Sequence, residues 1–200
     1  MLRLNTTKMN GVQQTFYEDG KKKQEYTLVN GVKEGVYKTW YRNGQLDSIA
    51  NYTNGILEGP AKVYYNTGVR FQEYNYVKGK IDGLFHTWNE YGEKSQQYTY
   101  VKGKQEGLYK EWYLNGKKKI ECTFNKKRSL NGFYLKWDYA GNLITIKFYI
   151  NANEISLKDL KSELTKHIKE ELVEKLFHPD RVIRIANTYN MNLMEYLDIF

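Results

Sequence analysis

Cysteine and proline are nearly missing from this chain: of 200 residues, one is cysteine (Cys122) and two are proline. A single thiol excludes an internal disulfide framework and points to a reducing compartment. Histidine is also scarce. His86, His167 and His178 are scattered, with Cys122 apart from them, and form no spacing of metal ligands. No apolar run approaches the roughly 18 residues that span a bilayer. The amino-terminal MLRLNTTKMN lacks an apolar stretch of signal-peptide length. These absences lead us to expect a soluble, cytoplasmic chain.

An acidic excess is missing too. Lys+Arg number 31 against 23 Asp+Glu, a net charge of +8. Residues 1–153 hold 24 Lys+Arg and 14 Asp+Glu, a net +10; residues 154–200 hold 7 and 9, a net −2. A basic segment can attract an acidic partner, an anionic membrane or nucleic acid. Here the lysines are spread along its whole length, which reads first as a solvated surface that guards sheet edges.

What the chain has in quantity is tyrosine (19) and glycine (16), both at regular places. Gly11, Gly35, Gly59, Gly83 and Gly107 stand 24 apart, and Gly132 follows after 25. Gly20, Gly44, Gly68, Gly92, Gly116 and Gly141 repeat those steps, and Gly31, Gly55, Gly79 and Gly103 form a third series. One aromatic series runs Phe16, Trp40, Tyr64, Trp88, Trp112, Trp137. Another runs Leu28, Tyr52, Tyr76, Tyr100, Phe124, Tyr149. Registers that share one period mark an internal repeat. Six copies are expected between about Gly11 and Asn153.

Each copy reads as a hairpin. Along Val36–Tyr41, Val36, Lys38 and Trp40 point one way, and Tyr37, Thr39 and Tyr41 the other. Asn43-Gly44 reads as a type I′ turn, with positive φ at both positions. The return strand runs from about Leu46 to Thr53, and Asn54-Gly55 with Gly59 makes a longer join. Stacked hairpins would align the Trp40, Tyr64, Trp88, Trp112, Trp137 column and the Tyr52, Tyr76, Tyr100, Phe124, Tyr149 column into two ladders, each ring covering its neighbours. Fully burying one such ring removes about 150–250 Å² from water, which at about 25 cal/mol per Å² is at most roughly 4–6 kcal/mol. Tyr37, Tyr41, Tyr65, Tyr109 and Tyr113 alternate away from the Trp40 column and are the candidates for an exposed partner-contact face.

The recurring GVYKTWYRNG and GLYKEWYLNG resemble the MORN repeat, especially its variant form in bacterial and large-DNA-virus proteins. The join VKGKQEGLY resembles that family's G-x-x-x-G turn. The resemblance covers about three quarters of the chain. It implies an elongated array of β-hairpins that serves protein association or membrane attachment without catalysis. The commoner repeat has a further glycine two residues after the G-x-x-x-G pair. Tyr37, Ala61, Phe85, Tyr109 and Tyr134 take that place here, which weighs against carrying over lipid binding.

The period stops near Asn153. Ser156 reads as a helix N-cap, with Asp159 near the positive end of the dipole. Leu157, Leu160, Leu164, Ile168 and Leu172 follow a helical stripe. Pro179 suits the first turn of a second helix with Val182, Ile185, Ala186 and Tyr189 on its apolar face. Asn192 could cap a third helix carrying Leu193, Tyr196 and Leu197. Residues 154–200 are thus expected to be a helical cap on the array, or else a docking or dimerisation segment. His178-Pro179-Asp180 matches the tripeptide of chaperone J-domains, but a helix start explains it and the segment is too short for that domain. FHPDRVIRI resembles a closing segment of repeat proteins in large DNA viruses. Richness in Asn, Lys, Ile and Tyr fits an AT-rich genome of that kind.

No catalytic set emerges, and no metal or cofactor is expected. Cys122 occupies the column of Tyr26, Ala50, Tyr74 and Tyr98, a packing position. The glycines are turn glycines and open no helix, so they form no phosphate loop. Tyrosine with lysine can bind single-stranded nucleic acid, but an aromatic column at the repeat period is first a packing ladder. The reading is therefore a mainly β protein: one stack of six 24-residue hairpin repeats over residues 1–153 and a short helical tail over 154–200. Its expected role is a non-enzymatic scaffold for a protein partner. The alternatives are a peripheral binder of anionic membranes through the basic array and a toxin-neutralising variant-repeat protein; homodimerisation stays open.

Overall fold

The computed structural model describes residues 9–156 together with Lys158, Asp159 and Ser162. The chain divides into two compact units, one ending at Lys104 and the other beginning at Gln105. Both are mainly β and built of antiparallel hairpins.

The first unit holds four hairpins. Gly11–Phe16 pairs with Lys22–Val29, and Val32–Trp40 with Leu46–Thr53. Gly59–Tyr64 pairs with Arg70–Val77, and Gly83–Trp88 with Lys94–Val101. Each hairpin also pairs with the next, so these strands form one open sheet in chain order. In the second unit Gly107–Trp112 pairs with Lys118–Phe124, and Leu130–Trp137 with Leu143–Ile150. The short strand Asn153–Ile155 lies beside the last of these. Alternating β-branched and aromatic residues drive the choice of strand over helix.

The two kinds of turn are exchanged relative to the sequence expectation. Asn54 (φ 51°) and Gly55 (φ 79°) are both left-handed, whereas of Asn43-Gly44 only Gly44 is (φ 89°). The type I′ turn is therefore Asn54-Gly55, which brings Thr53 opposite Ile56. Lys78-Gly79 does the same between Val77 and Lys80. The Asn43-Gly44 connection is a five-residue loop between paired Trp40 and Leu46. It is closed by Gly44 N–H to Tyr41 O at 2.9 Å and Tyr41 N–H to Gln45 O at 2.8 Å. That is a type I turn with a left-handed glycine behind it, which needs only one positive φ. Asn-Gly in a sequence does not separate the two geometries.

All 16 glycines lie at positive φ, and among the described residues none of them opens a helix. The series that includes Gly59 and Gly83 marks a bulge where the strand bends after the tight turn. Tyr52 faces Leu57 before that bend, while Ile49 faces Lys62 after it.

Among the described residues the strands form a single layer, which buries little. In the first unit Ala61 and Thr87 are buried among the described residues, and most ring-bearing residues are half-exposed. The second unit buries more: Glu121, Cys122, Leu135, Trp137 and Phe148. Beyond the last strand, the backbone N–H of Asp159 donates to Ser156 Oγ at 3.0 Å, the contact expected of an N-cap. The Leu157–Leu172 stripe, the Pro179 helix and the Asn192 helix lie outside the described residues.

Gly83 tests the backbone argument. Its φ is +88° and a Cβ there would meet nothing within 4 Å, so strain is the only cost of a side chain. Gly83→Ala should lower the unfolding free energy in urea by about 1–2 kcal/mol, and Gly83→Asn by less. An alanine variant as stable as the parent would remove the bulge explanation.

Candidate functional site

Alternation gives each sheet two chemically different faces. On one, rings from successive strands meet. Tyr37 packs against Tyr26 (centroids 5.9 Å apart) and Tyr52 (5.8 Å). Phe85 stacks on Tyr74 at 4.8 Å with 11° between planes, and reaches Tyr100 at 5.6 Å. Tyr76 lies 5.3 Å from Tyr74. The Lys33 ammonium sits over Tyr26, Tyr37 and Tyr52, at 4.9, 4.3 and 5.0 Å from their centroids. In the second unit Tyr109 meets Phe124 at 6.1 Å and Tyr134 meets Tyr149 at 6.3 Å. Burial raises the phenol pKa of Tyr37 and, more strongly, of Tyr74, so these rings stay neutral across the physiological range.

Cys122 lies opposite Tyr109 and Tyr134. Burial first, then the carboxylates of Glu121 and Glu111, push its thiol up to about 12. It carries no thiolate near neutral pH and serves as packing.

The other face carries the Trp40 column. What lies against its indoles is a cation rather than the ring of the next copy. Lys22 sits over Trp40, Arg70 over Trp88 and Lys118 over Trp137, each 5.1 Å from the ring centroid. The same cations reach a glutamate three residues on: Lys22–Glu25 at 2.7 Å, Arg70–Glu73 at 2.8 Å and Lys118–Glu121 at 2.8 Å. Glu121 is 4 % exposed; its Oε2 has no well-directed hydrogen bond and is held by the charges of Lys118 and, at 4.0 Å, Lys110. Lys22, Arg70 and Lys118 stand 48 residues apart, and so do their glutamates. The glutamates therefore alternate over two copies, with Ile49, Gln97 and Ile146 at the intervening places, whereas the cation position holds Leu46, Lys94 and Leu143 there. That doubled period is visible in the sequence, masked by the stronger 24-residue one. His86 replaces the lysine found at Lys38, Lys62 and Lys110. Burial, then Lys94, lowers its pKa.

The five expected contact tyrosines divide into two groups. Tyr37 and Tyr109 belong to the ring face. Tyr41, Tyr65 and Tyr113 sit in the loops, where their phenols bridge to the next copy. Tyr41 donates to Tyr64 O at 2.6 Å, Tyr65 to Trp88 O at 2.9 Å and Tyr113 to Trp137 O at 2.9 Å. Tyr17, absent from the expected set, does the same to Trp40 O at 2.7 Å. Their regular spacing was the signal, and shorter side chains bridge the same loops, Asn43 Nδ2 donating to Asn66 O at 2.7 Å and Asn115 Nδ2 to Tyr139 O at 2.8 Å. On the opposite side of the sheet, acidic side chains hold the tight turns. The N–H groups of Asn54, Lys78 and Lys102 donate to Glu34, Glu58 and Asp82 at 2.7, 2.7 and 2.8 Å.

Among the described residues no group of three or more His, Cys, Asp or Glu could hold a metal ion. His167 and His178 lie outside them. Nor is any helix among the described residues long and apolar enough to cross a membrane.

Four stretches, residues 9–30, 33–54, 57–78 and 105–126, match a family model described as MORN repeat variant. They coincide with the first, second, third and fifth hairpins. No curated protein matches the chain.

The phenol bridges give a direct test. Tyr65→Phe and Tyr113→Phe should each lose about 1 kcal/mol of stability in chemical denaturation. Tyr91→Phe, at a side chain 83 % exposed, should lose nothing measurable. Equal stability of all three would show that the bridges carry no weight.

Proposed function

The chain is a MORN-repeat protein of the variant type, and from that premise we propose that it is a non-enzymatic scaffold that binds another protein through the ring face of its repeats. The reading takes all six hairpins as one repeat array, with residues 154–200 as its cap or docking segment. The observation that carries it is the half-exposed tyrosine and phenylalanine surface of Tyr37, Tyr52, Tyr76, Phe85 and Tyr100. Tyrosine gives large contact area at low entropic cost and is enriched at protein interfaces. A sheet fixes the rings in register, so little ordering remains at association.

The charge pattern favours a protein partner over a membrane. Many of the cations behind the net +10 are already engaged. Lys22, Arg70 and Lys118 pair with glutamates and cover indoles. Lys119 pairs with Glu111 and Lys147 with Glu154, each at 2.7 Å. Cations held in this way are fixed against the sheet and less able to reach anionic lipid, although the net charge is unchanged.

The test is capture on the immobilised full chain from the source organism, in parallel with sedimentation on phosphatidylserine vesicles. A protein partner should remain bound in half-molar salt, which screens surface charge. The folded Tyr76→Ser variant should bind it about tenfold more weakly. Vesicle binding that vanishes with salt, with no protein retained, would contradict the scaffold reading.

A further inference from the structure

Every hairpin has two paired positions at its loop, and the fourth fills them unlike the rest. The first has Tyr17 with Lys23, whose ammonium lies 5.6 Å from the ring centroid. In the second, Tyr41 and Asp47 interact. The third has Tyr65 and Phe71 as a ring pair, centroids 4.7 Å apart. The fifth has Tyr113 with Lys119 at 5.7 Å, and the sixth has Asp138 and Ile144. The fourth has Asn89 and Ser95. Asn89 is folded back on its own turn, where its Oδ1 accepts the N–H groups of Tyr91 and Glu93, both at 3.0 Å. Only this copy has short side chains at both places.

The consequence is a notch of about 400 Å³ in the first unit, bordered by the Tyr65–Phe71 pair, Phe85, Thr87 and Ser95. That volume falls at the lower end of the roughly 300–1,000 Å³ typical of small-molecule sites. Its lining is aromatic and neutral, with hydroxyls and amides but no charged side chain. Thr87, at 7 % exposed, pairs with Ser95 through hydroxyls 3.0 Å apart. Two hydroxyls bring two protons. One serves the bond between them, and the second is available to an oxygen that enters the notch.

Resting on the scaffold reading, we propose that this notch is the anchoring pocket of the ring face and receives a phenol-bearing side chain, tyrosine above all, from the partner protein. The repeat's own design names this occupant. Where the third copy supplies a phenol and a phenyl ring against each other, the fourth leaves both contributions to the partner. An aromatic ring packs on Phe71 and Phe85 in offset or edge contact, and its hydroxyl meets the Thr87–Ser95 pair. Neutral walls disfavour a charged group, which would be desolvated without a counter-charge. A single buried aromatic anchor of this kind is the common form of an interface hot spot.

The test titrates the isotope-labelled full chain with p-cresol and follows amide shifts. We expect saturable shifts at Phe85, Thr87 and Ser95. The variant Asn89→Tyr with Ser95→Phe restores the third copy's residues; it should stay folded and weaken p-cresol at least about tenfold. Should that variant misfold, Ser95→Ala provides a second reading: it removes a hydroxyl alone and should weaken p-cresol while leaving toluene unchanged. No saturable shift, equal binding by the filled variant, or tighter binding of methyl β-glucoside than of p-cresol would overturn the proposal. The partner assay separates the two claims. A protein captured equally by parent and filled variant keeps the scaffold and removes the notch; loss of capture by the parent removes the scaffold whatever p-cresol does.

Discussion

Equivalent residues in neighbouring copies stand two strands apart, about 9.6 Å, and that distance organises both units. Aromatic rings interact with centroids roughly 4.5–7 Å apart, so a ring cannot rest on its own counterpart. Whatever the return strand places between them decides how the column packs. On one face the return strand supplies further rings, and the result is the continuous cluster around Tyr37 and Phe85. On the other it supplies Lys22, Arg70 and Lys118, whose ammonium or guanidinium groups lie over the indoles. The loop tyrosines span the same distance to a carbonyl in the next loop, and Asn43, Asn115 and Lys117 make like bonds beside them.

A sheet of one layer gains little from deep burial. Its stability has to come from many small contacts repeated at each copy. A phenol-to-carbonyl bond contributes about 1 kcal/mol, and a cation over an indole about 0.5–2 kcal/mol depending on exposure. The carboxylates of Glu34, Glu58 and Asp82 hold turn amides by charge-assisted bonds, which are stronger than neutral ones. The ladders run along both margins as well as through the middle, so hairpins are fastened at the loop, at the faces and at the join, although Asn89 of the fourth turns back on its own loop. Repeat proteins share this reliance on neighbour-to-neighbour terms.

Much of this was legible in the residues themselves. The glycine and aromatic series give the period, the strands and the hairpin order, and Ser156 gives the cap after the last strand. The exchange of turn types was not legible, because Asn43-Gly44 and Asn54-Gly55 are the same dipeptide and differ only in how the flanking strands pair. The cover of the indoles was missed for a different reason. Reading one column at a time omits the return strand, and with it Lys22, Arg70 and Lys118. Tyr41, Tyr65 and Tyr113 were rightly separated from the Trp40 column, yet strand alternation says nothing about how far a phenol reaches. The notch beside Ser95 lies in the fourth copy's departures from its neighbours, so it emerges only when copies are compared position by position.

The central claim is that copies are fastened to one another at fixed places, the tight turns included. Amide hydrogen exchange of Asn54, Lys78 and Lys102 on the intact chain tests it most directly. These N–H groups lie in exposed turns that would ordinarily exchange at once, but they donate to Glu34, Glu58 and Asp82. The account predicts protection comparable to that of the adjoining strand amides, since opening them requires loosening the join. Exchange at the rate of an unstructured peptide at all three would contradict it.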